Sequence, residues 1–489
     1  MSTFRIGGLG SGMDISSTIT ALLEADSQKV KAAQDEQSTR NERIGAWIEV
    51  KSALADFTKA SDALRWMDVW RKMAPTSSNP QVVTATAASN AVKATYSLEV
   101  VQLARAQTIG SAAGLTTGGA SPVAVTSSTK LVDIDGISVG NQFAIAGQTF
   151  TIGANDTLSS LRTQINEASA SMPADQRVSA TILDNRLVLQ RAATGDSPIV
   201  LSDVAGSPLQ TLGVLDAVGQ PANVLLAAQN AVFSVNGAIV ERASNTALTD
   251  VVEGVTLNLY DVGSSELTIA SDVEGVKTAI QSFIDAYNAV SDILDKHGNY
   301  DTTDASNPVP GLLQNDYMIR DLASQLRRVA TQAPASYTSA NASYEYNGLT
   351  GIMNSLQSVG IWTAGKENQL SIVDSTRLEA LLDQEPEKVE NLFRGLQTSS
   401  GTRSGGVALN LYNFSRSYSS DLDGWIDYRV EQIDDEIKRN DEQIDRMISA
   451  MEIKENMLWT QFNAMDEAIG EMNAGLDYLK SSLGLKDKS

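Results

Sequence analysis

The chain has no cysteine in 489 residues, a single histidine, and no apolar run approaching the ~20 residues that a membrane-spanning helix needs. Without cysteine there is no disulfide, no thiolate metal site and no thiol nucleophile. The one histidine, His297, lies in DKHGNY between a helical pattern and a loop, where it reads as a solvated side chain. No Ser-His-Asp set can be built around it. Basic residues are also scarce: 37 Lys and Arg stand against 59 Asp and Glu, a net charge of −22. That balance argues against nucleic-acid binding, which needs clustered cations to displace counterions, and against docking on an anionic membrane. No basic region followed by an apolar stretch opens the chain, so no conventional secretory signal is visible. Composition alone therefore points to an acidic protein that is cytosolic or exported by an unconventional route.

Hydrophobic residues make up 42% of the chain, enough for sizeable cores, and the length is that of about three domains. The opening IGGLGSGMDISSTI, residues 6–19, has the glycines of a phosphate loop but not its chemistry. Gly7 and Gly12 have Walker spacing, yet Met13 and Asp14 follow where Lys and Ser or Thr are required. Asp14 would repel a phosphate. It reads instead as the N-cap of a helix carrying Ile15, Ile19, Leu22 and Leu23 on one side. The DIDG at 133–136 lacks the further ligands and closing glutamate of a calcium loop and reads as a turn. Asp434 and Asp435 are adjacent on a coil surface and cannot face one another across a substrate as acid and base. No catalytic residue, cofactor or metal is expected.

Residues 13–70 read as helix in two parts. From Glu24 to Arg43 the pattern is polar, with little beyond Val30 to anchor it, so this part needs a partner. From Ile44 onward Trp47, Val50, Leu54, Phe57, Leu64 and Trp66 promise a real core, and APTSSNP (74–80) ends the helix. Residues 81–272 turn β-rich. The segment 96–108 alternates as a strand, and 133–152 reads as strands joined by Asp135-Gly136 and Ala146-Gly147 turns. A short helix is predicted over 156–169, capped by Asp156. Hairpins are predicted at Asp184-Asn185 and Asn236-Gly237. Helical patterns return at 273–297, 312–331 and 377–393.

The last segment is the most regular. Core positions fall at Ile426, Val430, Ile433, Ile437, Asn440, Ile444, Ile448, Met451, Glu455, Leu458, Phe462, Met465, Ile469, Met472, Leu476 and Leu479. Steps of four and three form a heptad seam, with one stutter at Asn440–Ile448. A helix of that length, about 80 Å at 1.5 Å per residue, cannot bury its seam alone. It must meet a second copy, another protein or the N-terminal helix, or else fold back on its own domain.

Several stretches together resemble the flagellar hook-associated protein 2 family of filament caps. They are GLGSGMDI (8–15) with the helix ending in ALLEAD, YSLEVVQLARAQ, and FSVNGAIVERASNTALTDVVEGVTLNL (233–259). To these add residues 357–393, from QSVGIW to VENLF, and KENMLWTQFNAMDEAIGEMN (454–473). DTLSSLRTQINEAS also resembles a short motif of flagellins and hook proteins. The resemblance implies a multidomain α+β fold in which both chain ends form a helical leg and terminal coiled-coil segments, with nested β-rich head domains inserted between them. The domains expected are an export leader and docking helix (1–43), a helical leg (44–75 with 273–425), a β-rich head (76–109 with 229–272), a nested outer head (110–228) and a coiled-coil helix (426–489).

The implied function is that of a structural cap at the distal end of the bacterial flagellar filament, exported and not enzymatic. It would form a small ring, a pentamer or hexamer, that retains flagellin and promotes its folding and insertion. Implied partners are further copies of the chain, flagellin, a hook–filament junction protein, and an export chaperone with the export apparatus, with no nucleic acid and no membrane insertion. Docking would fall to the seam residues from Ile426 to Met472 and to Ile15, Ile19, Leu22 and Leu23. The alternatives are another axial flagellar protein, such as a junction protein, or a cap with an added adhesive role.

Overall fold

A computed structural model describes residues 12–332, 336–363 and 368–483; the glycines at positions 7, 8 and 10 lie outside the described residues. Asp14 caps as its position predicts, accepting from the Ser17 amide at 3.0 Å, and a single helix then runs Ile15–Arg65 without a break where the apolar pattern changes. A short helix, Met67–Arg71, follows. The chain forms two compact units, Met1–Trp70 with Val273–Ser489, and Arg71–Asp272.

In the first unit the long N-terminal helix packs beside Val273–Gly298, Val407–Ser419 and the C-terminal helix Trp425–Ser482. Trp47, Val50, Leu54, Phe57 and Leu64 are all fully buried, as the sequence promised, but Trp66, just past the end of the helix, is 55% exposed and outside the core. Phe57 meets Phe283 at 5.3 Å and Tyr287 edge-on at 5.9 Å, and Phe283 meets Phe393 edge-on at 6.2 Å, geometries that add to area burial. The helical pattern at 377–393 is two helices, Ser375–Gln384 and Pro386–Arg394, because Pro386 cannot continue the first and opens the second. The reading at 312–331 shortens to Tyr317–Thr331, capped by Asp316.

His297 contradicts its sequence reading. It lies in the last turn of Val273–Gly298, only 3% exposed, with Nε2 2.9 Å from Glu49 Oε2. The loop begins after it, and the N-terminal helix brings Glu49 across to meet the ring.

The second unit holds two separate cores. An antiparallel five-stranded sheet runs in the order Met73–Ser77, Gly263–Ser271, Ala94–Gln102, Ala231–Val235, Ala238–Arg242. With a three-stranded sheet it encloses Leu98, Val100, Phe233, Leu257 and Leu267. APTSSNP therefore does more than end a helix: Met73–Ser77 is an edge strand, where Pro75 is tolerated. The strand predicted over 96–108 stops at Gln102. Asn245 then holds Ala104 by both its amide and its carbonyl, at 2.7 and 2.9 Å, and Thr108–Gly110 joins a different sheet.

That sheet, ordered Val224–Leu226, Thr108–Gly110, Arg186–Arg191, Val178–Leu183, packs with the helix Leu158–Ser169 and a second small sheet around Phe143, Phe150, Leu161 and Leu187. The hairpin turns form as expected. Asp184 and Asn185 both have positive φ, as do Asn236 and Gly237, the requirement of a tight two-residue turn. Two details differ. The cap of Leu158–Ser169 is Thr157, in a reciprocal bond with Ser160, while Asp156 holds the Gly153 amide. And the strands read over 133–152 are fewer and shorter: Leu131–Asp133 is a single 3-10 turn, no strand precedes Gln142 within that range, and the hairpin comprises only Gln142–Ile145 and Gln148–Thr151.

Candidate docking coil

The polar stretch Glu24–Arg43 finds its partner in the C-terminal helix, and the two run antiparallel. Lys51 Nζ lies 2.7 Å from Asp421 and 2.8 Å from Asp427, Gln37 Nε2 donates to Asp441 at 2.6 Å, and Lys454 Nζ reaches Asp26 at 2.8 Å. Asn440, the polar position at the stutter, is buried and donates to the Ala33 carbonyl at 2.9 Å. A polar residue at a seam position fixes register, and Asn440 does so within one chain. At the far end Ile15, Ile19, Leu23 and Trp459 form a small apolar cluster, joined by Met451, Leu458 and Phe462.

The predicted seam divides into three zones. Ile426, Ile433 and Ile437 are buried in the core of the first unit with Val430 packed against them, so this part of the seam serves folding. Ile444 is buried, and Ile448, Met451, Leu458 and Phe462 are half-buried along the coil. Beyond them Ile469 is half-buried, while Met465, Met472, Leu476 and Leu479 are exposed. Since Lys454 stands opposite Asp26, the C-terminal helix passes Ile15 at about Met465 and continues for roughly 25 Å at 1.5 Å per residue. Leu22 does not join its predicted companions. It lies about 100° around the helix from Leu23 and is 49% exposed, because the covered stripe follows Ile15, Ile19, Leu23 and Val30.

Two groups escaped the sequence reading. Trp459 sits one position off the seam yet is buried. Asp316, the N-cap of Tyr317–Thr331, is the other. Its side chain is fully buried, it accepts from the Met318 amide at 3.2 Å, and it bonds Arg429 at 2.8 Å with Arg43 at 3.5 Å. One carboxylate thus ties the N-terminal helix, the C-terminal helix and the helix Tyr317–Thr331 together where the coil meets the core.

The ionic contacts set the electrostatics. The Lys454 ammonium, then Lys29, holds the Asp26 carboxyl below its ordinary range. Lys296, then His297, does the same for Glu49. Asp421 and Asp427 raise the Lys51 ammonium. Asp434 and Asp435 both bond Lys438, at 2.7 and 3.2 Å, as a solvated helix face does. Among the described residues no group of His, Cys, Asp or Glu is placed to hold a metal ion, and no helix is long and apolar enough to cross a membrane.

Comparison with known proteins agrees with this layout. Family models described as flagellar hook-associated protein 2 N-terminus and C-terminus match residues 11–107 and 228–474. The A-type flagellar hook-associated protein 2 of Pseudomonas aeruginosa is 27% identical over 96% of this chain and 95% of its own length. The flagellar hook-associated protein 2 of Escherichia coli is 29% identical over 81% of each. A crystal structure of the flagellar cap protein from Escherichia coli superposes with a TM-score of 0.55 at 28% identity, covering 80% of this chain and 99% of that one.

Proposed function

The chain belongs to the flagellar hook-associated protein 2 family, and from that premise we propose that the far end of its C-terminal helix is the element by which it stands on the filament. The protein is a filament cap, exported to the distal tip of the bacterial flagellum, where as an oligomer it sits on the filament and binds flagellin. Its family is structural. We assign the chain no catalysis. The reading as a hook–filament junction protein is not favoured, since both matching family models are those of hook-associated protein 2.

One observation carries the docking proposal: Met465, Met472, Leu476 and Leu479 follow the heptad seam but lie exposed, Met465 opposite the start of the N-terminal helix and the other three beyond it. Apolar side chains at seam spacing are covered when a partner helix reaches them, and each is worth about 1.5–3 kcal/mol once buried. Flagellin at the filament end, or a hook–filament junction subunit before growth begins, would supply that helix. A small ring, of five or six copies, would place several such ends around the channel. The binding free energy is then shared among many weak contacts, and attachment can be released and remade as subunits add. Passage before assembly would require an export chaperone to hold these apolar ends.

The test replaces Met465, Met472, Leu476 and Leu479 by Ser in the full chain and returns it to cells lacking the cap. The variant is expected to fold and be exported, yet to leave cells without filaments and to shed flagellin as monomer. Normal filaments would exclude this end of the helix as the docking element.

A further inference from the structure

With no cysteine in the chain, methionine is its only sulfur, and the 12 methionines are unevenly spread. Five of them, Met447, Met451, Met457, Met465 and Met472, lie on the C-terminal helix Trp425–Ser482. The seam from Ile426 to Ile448 holds none, whereas beyond it Met451, Met465 and Met472 take seam positions. Exposure divides the thioethers further. Met457, Met465 and Met472 are 51%, 39% and 61% exposed, and Met465 and Met472 belong to the face assigned to docking. Met73, Met172 and Met353 are buried in the cores. Met13, just before Asp14, and Met67, in the short helix Met67–Arg71, are also exposed but lie off the seam. A thioether is soft and flexible, which suits a face that must fit a partner, and in a chain without thiols it is the group that peroxide attacks.

We propose that Met465 and Met472 are a modification site whose sulfoxidation by hydrogen peroxide weakens docking, an inference that rests on the reading of this end of the helix as the docking element. A sulfur lone pair attacks one peroxide oxygen, and the O–O bond breaks as the S–O bond forms. The departing hydroxide takes up the proton of the transferred oxygen and leaves as water. Sulfur loses two electrons and peroxide gains them, so no other co-reactant is needed. The sulfoxide places a strong hydrogen-bond acceptor where the seam offers an apolar contact, and burying it unpaired opposes docking. Ile469, Leu476 and Leu479 on the same stretch have no such chemistry, so the sensitivity resides in the two sulfurs. At the filament tip the modified side chains lie beyond the reductases inside the cell that would restore them.

The test treats the full chain with hydrogen peroxide, locates added oxygen by peptide mass spectrometry, and measures binding to uncapped filaments of the same bacterium by co-sedimentation. Met13, Met67, Met457, Met465 and Met472 are expected to oxidise at least about tenfold faster than the buried Met73, Met172 and Met353. The oxidised chain is expected to bind filament ends about tenfold or more weakly, as unpaired polar groups in an apolar contact require, and to recover when both methionine sulfoxide reductases and dithiothreitol are added. Met465→Leu combined with Met472→Leu keeps the apolar face and nearly its volume. This double variant is expected to bind like the untreated chain before and after peroxide, although Met13, Met67 and Met457 still oxidise in it. Undiminished binding by a chain oxidised at Met465 and Met472, or an equal loss in the double variant, overturns this inference and leaves the docking reading intact. If an untreated chain carrying Met465→Ser, Met472→Ser, Leu476→Ser and Leu479→Ser binds filament ends as tightly as the unchanged chain, the docking reading fails and this inference with it.

Discussion

Asp316 is the residue on which most depends for its size. It neutralises two guanidinium groups from opposite ends of the chain, Arg43 and Arg429, while capping a third helix. Removing one member of a buried ionic group leaves the others desolvated and unpaired, which typically costs about 3–5 kcal/mol. Asp316→Ala is therefore expected to lower the stability of the first unit by about that amount in urea unfolding, far more than Asp14→Ala, which loses an exposed cap worth about 1 kcal/mol. A loss below about 1 kcal/mol for Asp316→Ala would mean that the two arginines find other partners. Sequence reading placed Asp14 and the turns at Asn185 and Asn236, which need only their neighbours, but set the cap of Leu158–Ser169 at Asp156, one residue before Thr157. It missed Asp316 and misread His297, because the partners of both, Arg43 and Glu49, arrive from hundreds of residues away.

At the scale of the element, the two long helices decide the behaviour of the coil. The seam was legible from Ile426 onward because its spacing is periodic, but periodicity does not say what covers it. The core of the first unit takes Ile426–Ile437, the N-terminal helix takes Ile444–Phe462, and Met465, Met472, Leu476 and Leu479 are left exposed. Polar partners were not legible at all, since Lys454 and Asp26 carry no pattern that pairs them. Trp459 closes the end of the coil, so Trp459→Ala is expected to raise hydrogen exchange of the Ile15–Leu23 amides while protection at Val50–Leu64 stays unchanged. Equal exchange with and without the indole would remove Trp459 from that role.

Acid acts on the same element. Asp26, Glu49 and Asp421 have carboxyls held below their ordinary values by cationic partners. A depressed carboxyl contributes stability above its unfolded pKa, and loses it as pH falls through the folded value. The coil is thus expected to loosen as pH drops below about 4, with proteolysis near Glu24–Arg43 accelerating there and unaffected between pH 6 and 8. A coil equally resistant at pH 3 and pH 7 would mean that apolar contacts alone hold it.

For the whole molecule, the β region is where chain order and space diverge. Ala94–Gln102 and Ala231–Val235 are hydrogen-bonded neighbours, so everything between them leaves the sheet and returns. Residues 110–228 contain nearly all of a separate core, from Val125 to Leu215. Expressed alone from Gln107 to Gln229, so that the inner strand Thr108–Gly110 and the buried Ile109 stay with their sheet, this part is expected to fold cooperatively with a β-rich spectrum, and a chain with a short Gly-Ser linker in its place is expected to keep its helical unit. An excised segment that stays disordered would make the β region indivisible. The strands read over 133–152 were overextended before Gln142 because alternation over a few residues looks the same in a turn-rich segment, and only the pairing of Gln142–Ile145 with its neighbours settles which residues join a sheet.

The central claim is that this cap stands on the filament through the end of its C-terminal helix. Electron cryo-microscopy of filament tips bearing this chain tests it most directly. The account predicts helical density for the segment from Phe462 to Ser482 packed against subunits of the filament end, with Met465, Met472, Leu476 and Leu479 on the buried side. Density in which that segment lies free in the channel, with the cap held by its β-rich unit instead, would contradict it.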